Sequence, residues 1–124
     1  MENDISTQII GIAIKVHTTL GPGLLESIYE EAICFELMKR NIPFSRQVEV
    51  PVYYEGVILK TLRLDLLVDN AIIIEVKSSP YRPQFAVPQL LSYLNSTAIQ
   101  TGLILNFGLP RMMDGVKRVS RIKK

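Results

Sequence analysis

"LDLLVDNAIIIEVKSS", residues 64–79, reads as two apolar strands joined by a turn, interrupted by charges at Asp65, Glu75 and Lys77. Strand side chains alternate between two faces, so the register of this hairpin decides where the charges go. With a strict two-residue loop at Asp69 and Asn70, Asp65 faces Ile74 and a carboxylate is mixed into an apolar surface. With a three-residue connection through Ala71, Leu64, Leu66 and Val68 lie opposite Val76, Ile74 and Ile72, and one face becomes wholly apolar.

The second register places Arg63 opposite Lys77 and Asp65 opposite Glu75 on the other face, so that like charges meet across the ladder, a pairing normally avoided. Two unit charges ~4 Å apart repel by roughly 4 kcal/mol at an effective dielectric near 20, a large part of a small domain's stability. A cation is then expected between them. Lys77 and Arg63 supply part of it, and paired carboxylates are also a hard-oxygen nest for Mg²⁺, which takes one or two protein carboxylates and keeps several waters. The plain alternative is an exposed polar face with screened ion pairs. Leu67 and Ile73 share that face, which argues that something packs over it and that the charges line a pocket.

Working outward, the chain of 124 residues is about one domain long and can bury one core. Hydrophobic residues make up 48% and charged residues 21%, too apolar for a disordered chain. No apolar run approaches the ~18 residues that span a bilayer, and the acidic start "MENDIS" lacks a basic leader region. A cytoplasmic protein without membrane partners is the expectation. Cys34 is the only cysteine, which excludes an internal disulfide and a cysteine-based zinc site; it reads as packing. The net charge of +2 implies no polyanion by itself, although residues 117–124, "KRVSRIKK", gather five cations as a solvated tail or a phosphate-contacting edge.

Ile5, Ile9, Ile12, Ala13, Val16 and Leu20 recur at helical spacing up to Gly21-Pro22, and a second helix runs from about Gly23 to Arg40. Glu26, Tyr29, Ile33 and Leu37 fall on one side of it and Leu24, Ile28, Ala32 and Phe35 on the other, so it is expected to bury two sides with Glu26 facing packed neighbours. A first-turn Glu favoured by the helix dipole is the plain reading of that residue. "VEVPVYY" and "VILKTLRLDLLV" are strands turned at Glu55-Gly56, with Pro51 on an edge or bulge. "AIIIEVKSS" is the next strand, followed by a helix in "PQFAVPQLLSYLNS" that begins or kinks at Pro88. Gln89 and Tyr93 share a face of that helix. "IQTGLILNFG" and "GVKRVSRI" are the last strands. The order ααβββαββ predicts an α/β (α+β type) fold over a single domain, 1–124, with a mixed central sheet flanked by helices.

On these residues the chain resembles the small GxxExxY family of the PD-(D/E)XK nuclease superfamily: "GLLESIY" matches through Gly23, Glu26 and Tyr29, and "RLD" followed by "EVK" matches the superfamily pattern. The likeness runs from about Val16 to "NFG", with "RLD" standing where the pattern has Pro-Asp. It implies a restriction-endonuclease-like core and a Mg²⁺-dependent DNA nuclease, with Mn²⁺ as substitute. Asp65, Glu75 and the backbone carbonyl of Val76 are implied as metal ligands with Glu26 as third carboxylate, and Lys77 as the residue that orients the attacking water and offsets phosphorane charge. Gln89 and Tyr93 resemble the QxxxY element that positions substrate. Tyr29 and His17 join the positioning set, His17 reaching a phosphate or water or else being a satisfied structural histidine. Substrate choice is expected to need a homodimer or partner protein. The competing reading is a non-catalytic nucleic-acid or protein-binding module on the same fold.

Overall fold

The computed structural model describes the backbone of residues 2–121 and the side chains of residues 5–121; Lys123 and Lys124 of the basic run lie outside the described residues. Helix α1 spans Glu2–Leu20 and α2 Glu26–Lys39. Strands β1 (Phe44–Tyr54), β2 (Val57–Val68) and β3 (Ile72–Lys77) follow, then helix α3 (Ala86–Asn95), β4 (Thr101–Asn106), a 3₁₀ turn at Met112–Gly115 and β5 (Val116–Ser120). The strands form one mixed sheet in the order β1-β2-β3-β4-β5, antiparallel except for β3 beside β4. The order of helices and strands is the one expected; the 3₁₀ turn is an addition.

Helices cover both sides. Ile9, Ile12, Ala13 and Val16 of α1 and Tyr29, Ile33 and Leu37 of α2 pack with Leu66, Ile72, Ile74, Val76, Leu103 and Leu105 on one face. Leu90, Tyr93 and Leu94 of α3 pack with Leu64, Ile73, Ile104 and Val119 on the other. β3 and β4 are buried almost throughout, as expected of a parallel pair with helices on both sides.

Three expectations need correction. First, α2 buries one side only: Leu24, Ile28 and Phe35 are exposed, and so is Glu26. The helix is an outer layer, with α1 and the sheet meeting a single flank. Second, α3 neither begins nor kinks at Pro88. It starts at Ala86, so Pro88 falls in the first turn, where its missing N–H is one of the donors a helix leaves unpaired anyway. Gln89 N–H then bonds the Phe85 carbonyl at 3.0 Å. Third, the ladder of like charges does not form. β2 and β3 pair through Val68–Ile72, Leu67–Ile73 and Leu66–Ile74, the register of the three-residue connection, and the ladder ends there. Arg63 instead faces Glu49 across β1, 3.5 Å away.

The ladder ends where side-chain alternation breaks. Leu66 and Val68 point into the α1/α2 core, whereas Leu62 and Leu64 pack on the α3 side. β1 changes face in step, at Gln47 with φ +50°, while the pairing offset is unchanged from Arg46–Leu66 to Val48–Leu64. Asp65 sits at the break. The turn at Asp69 and Asn70 has φ +54° and +50°, the left-handed pair that a tight hairpin turn requires.

Candidate functional site

Beyond Ile74 the backbone of β3 has lost β2, and a side chain replaces the ladder: Val76 N–H donates to Asp65 Oδ2 at 2.8 Å. This bond fixes the Asp65 carboxylate beside the backbone that carries Glu75 and Val76. Glu75 alternates with Ile73 and so points to the α3 side, where it is only 3% exposed. Its Oε1 is buried without a hydrogen-bond partner. Desolvation first, then the charge and hydrogen-bonding proximity of Asp65, push the Glu75 carboxyl up to about 9, against a smaller downward pull from Lys77. The negative charge of Glu26 adds to the upward push.

Lys77, two residues on, shares this side and donates from Nζ to Gln89 Oε1 at 3.1 Å. Gln89 and Tyr93 lie one turn apart on the same flank of α3. Burial, followed by the charges of Glu75 and Asp65, raises the Tyr93 phenol to about 12, so its hydroxyl keeps its proton at neutral pH. Asp65, Glu75, Lys77, Gln89 and Tyr93 thus form one constellation between β2, β3 and α3.

Glu26 is brought to its edge by the Gly21-Pro22-Gly23 loop. Gly21 and Gly23 hold φ of +79° and +87°, a conformation that favours glycine. Gly23 N–H reaches the Phe107 carbonyl at 3.3 Å, and the Ser78 hydroxyl donates to the Leu24 carbonyl. The loop therefore docks on the ends of β3 and β4, and Glu26 starts α2 exposed beside them.

Tyr29 and His17 are placed elsewhere, among the packing of the α1/α2 face. The Tyr29 hydroxyl donates to the Gly21 carbonyl and accepts from Leu24 N–H at 2.9 Å, while its ring stacks on Phe107 at 4.4 Å. It clamps the glycine loop. His17 Nε2 lies 2.8 Å from the Leu109 carbonyl, and its ring stacks on Phe107 from the other helix. It is a satisfied structural histidine.

Asn106 was not picked out, although it heads the "NFG" turn. It is 1% exposed; its Oδ1 accepts from Ser79 and Gly108 N–H, and its Nδ2 donates to the carbonyls of Ser79 and Tyr81. One side chain thus holds the loop that leaves Lys77. At Gly108 an added Cβ would lie 2.1 Å from the Ser79 carbonyl oxygen, so the close approach requires glycine. A polar residue ending the apolar run "TGLIL" and followed closely by glycine was the available signal.

Among the described residues no group of three or more His, Cys, Asp or Glu side chains is arranged to hold a metal ion. Asp65 and Glu75 form a pair of neighbouring carboxylates. The orphaned Glu75 oxygen next to a second carboxylate is an all-oxygen donor set, and it fits a hard divalent ion that keeps most of its waters. Glu26, being exposed, is the weakest member of that set.

A mixed sheet with a carboxylate on one strand and Glu-x-Lys on the next, covered by helices on both faces, defines the class of restriction-endonuclease-like α+β proteins. A model of the PD-(D/E)XK nuclease superfamily matches residues 3–119, and the chain belongs to that superfamily. No curated protein and no solved structure matches it. No helix among the described residues is long and apolar enough to cross a membrane.

Proposed function

We propose that the protein hydrolyses phosphodiester bonds in nucleic acid, most directly DNA, with Mg²⁺ held by Asp65 and Glu75 and the Val76 carbonyl, and with Mn²⁺ as substitute. The observation that carries this reading is the buried, unpartnered Glu75 oxygen beside Asp65. An ion pair would satisfy it if the role were structural, and a purely apolar residue would serve a binding module better. When bound, the ion supplies a Lewis acid for the phosphoryl group and lowers the pKa of water.

The chain's own groups have separate tasks. Asp65, oriented by Val76 N–H, and Glu75 hold negative charge at a fixed point and must both be ionised to do so. Lys77, aligned by Gln89, donates hydrogen bonds to the water that attacks phosphorus and then to the charge growing on the pentavalent phosphoryl oxygens. Tyr93, kept protonated, is one turn from Gln89 on the same flank of α3 and is suited to steadying it, and through it Lys77. As the water oxygen forms the new P–O bond it releases a proton to bulk solvent, the bond to the leaving alkoxide breaks, and a solvent proton passes to that alkoxide. Glu26, exposed at the mouth, would add a third carboxylate to the set that holds the ion.

The test is degradation of plasmid, linear duplex and single-stranded DNA and of RNA by purified protein with Mg²⁺, with Mn²⁺ and with chelator, beside Asp65→Asn. Hydrolysis that needs the metal and vanishes in the variant supports the reading. Wild-type inactivity under every condition, or equal activity in the variant, sinks it and leaves the binding module.

A further inference from the structure

The eight residues between Lys77 and α3 carry two large aromatic side chains in open solvent: Tyr81 is 77% exposed and Phe85 73%. They are not on a slack segment. Three of the four bonds of Asn106 hold Ser79 and Tyr81, Tyr81 N–H also reaches Ser79 Oγ at 3.2 Å, and Ala86 N–H bonds the Pro83 carbonyl. Rings kept wet on a pinned scaffold have forgone burial, which calls for a partner that stacks on them.

Beside this loop is a cleft of about 200 Å³ between the start of α3, β4 and β5. Its floor is apolar, with Ala86, Val87 and Ile104, and its rim carries Arg82 and Lys117 against a single acid, Asp114. The volume is roughly that of seven waters, the scale of one heterocyclic base. Val87 and Gln89 are two residues apart in α3 and so project to opposite flanks of the helix. The cleft therefore lies across α3's first turn from the Lys77–Gln89 pair, and Tyr81, Arg82 and Phe85 belong to the segment that joins Lys77 to α3, with Arg82 lining the cleft.

We infer that this loop and cleft form a track for single-stranded nucleic acid: bases stack on Tyr81 and Phe85, Arg82 and Lys117 take up phosphates, and one base enters the cleft while the next phosphate reaches Lys77. The inference deepens the hydrolase reading by naming its substrate class, and rests on it for the direction of the strand. Stacking on an open ring requires a base whose face is free, which a duplex does not present; charge complementarity supplies the rest.

The experiment is fluorescence anisotropy of a labelled oligo-dT and of a duplex of equal length, with wild type in chelator so that no strand is cut. Wild type is expected to bind the single strand at least about tenfold more tightly. Tyr81→Ala with Phe85→Ala weakens single-strand binding by roughly ten- to a hundredfold, and Phe85→Trp in place of Phe85→Ala restores much of it. Lys117→Glu weakens binding and flattens its salt dependence by about one phosphate. Circular dichroism melts show whether each variant is folded. Equal or tighter duplex binding by wild type, or wild-type affinity in the folded double variant, overturns the inference. The two readings fail separately: a protein that binds single strands but no Mg²⁺ keeps the track and loses the reaction. One that cleaves duplex DNA with Mg²⁺ at an unchanged rate in the double variant keeps the reaction and loses the track.

Discussion

Glu36 and Glu75 are both buried glutamates, and their surroundings are opposite. Glu36, on α2, is met by Arg40 Nη1 at 2.6 Å and Lys15 Nζ at 3.1 Å, with Lys39 3.9 Å away, and its carboxyl is held below the usual range by those hydrogen bonds. Glu30 nearby is similarly matched, by Arg46 at 2.8 Å and Gln47 at 3.0 Å. Glu75, on the other face, has an oxygen with no partner, a second carboxylate as neighbour, and a lysine already engaged by Gln89. The α2 acids bind the helix to its surroundings. The β3 acid is left expensive, and buried groups kept that way mark functional sites more often than structural ones.

The largest expected effect tests whether Glu75 and Asp65 are a cation site at all. Asp65→Asn keeps an oxygen to accept Val76 N–H and removes one charge, so the fold should melt within about a degree or two of wild type. Mg²⁺ affinity should fall at least about a hundredfold, read by titration calorimetry. Equal Mg²⁺ binding in both proteins would break the contrast between the two glutamates. Next in size is Lys77→Met, which spares the two carboxylates and removes the donor aligned by Gln89. Its single-turnover rate at saturating Mg²⁺ should drop by about 10²-fold or more, with Mg²⁺ affinity unchanged or tighter; an unaltered rate would reduce Lys77 to a counter-ion.

Much of this contrast could be read from residues alone, and the rest could not for identifiable reasons. The apolar run from Leu64 to Val76 has one register that sorts its side chains, and the structure adopts it from Val68–Ile72 to Leu66–Ile74. Asp65, Glu75 and Lys77 stood out as charges in strands, and the Gln89–Tyr93 spacing placed both on one flank. The paired reversal of faces at Gln47 and Asp65 was not legible, because alternation predicts a continuous strand and the reversal is a tertiary compromise between two cores. Glu26 was misjudged because helical spacing tells which residues share a side, and only the layer outside the helix tells whether that side is covered. Tyr29 and His17 were drawn into the site by motif and position, whereas stacking on Phe107 turns both inward to hold the glycine loop and the segment after β4. Asn106 went unread because its four partners are backbone groups, which leave no pattern in a sequence.

A third measurement sharpens the contrast through pH. With its folded value near 9 and an unfolded value near 4.5, Glu75 keeps in the folded state a proton that the unfolded chain releases. Its contribution is intact below about pH 4.5 and is lost progressively as pH rises towards 9, so the metal-free protein weakens across neutral pH. Glu75→Gln removes that loss. Urea unfolding in chelator should show the variant more stable at pH 8, with the gain shrinking as pH falls and vanishing near pH 4.5. For the wild type, Mg²⁺ must displace this proton, so affinity should climb up to tenfold per pH unit between pH 6 and 8.

The smallest effect comes from Glu36, and its sign is reversed. Arg40 and Lys15 lower its folded pKa, so its contribution is present above about pH 4.5 and is lost as pH falls through the lowered folded value. The cations that meet it are half open to solvent, which screens the pairs and discounts the gain. Glu36→Gln should therefore cost about 0.5–1 kcal/mol at pH 7 by urea unfolding, and the difference should shrink as the buffer is taken down to pH 3. Two glutamates with similarly little solvent exposure would then bend the stability curve at opposite ends, one because its charge is matched and the other because it is not. If Glu75→Gln instead weakened the protein at pH 8 as Glu36→Gln does, an ordinary ion pair must be satisfying Glu75, and the case for a cation site would go with it.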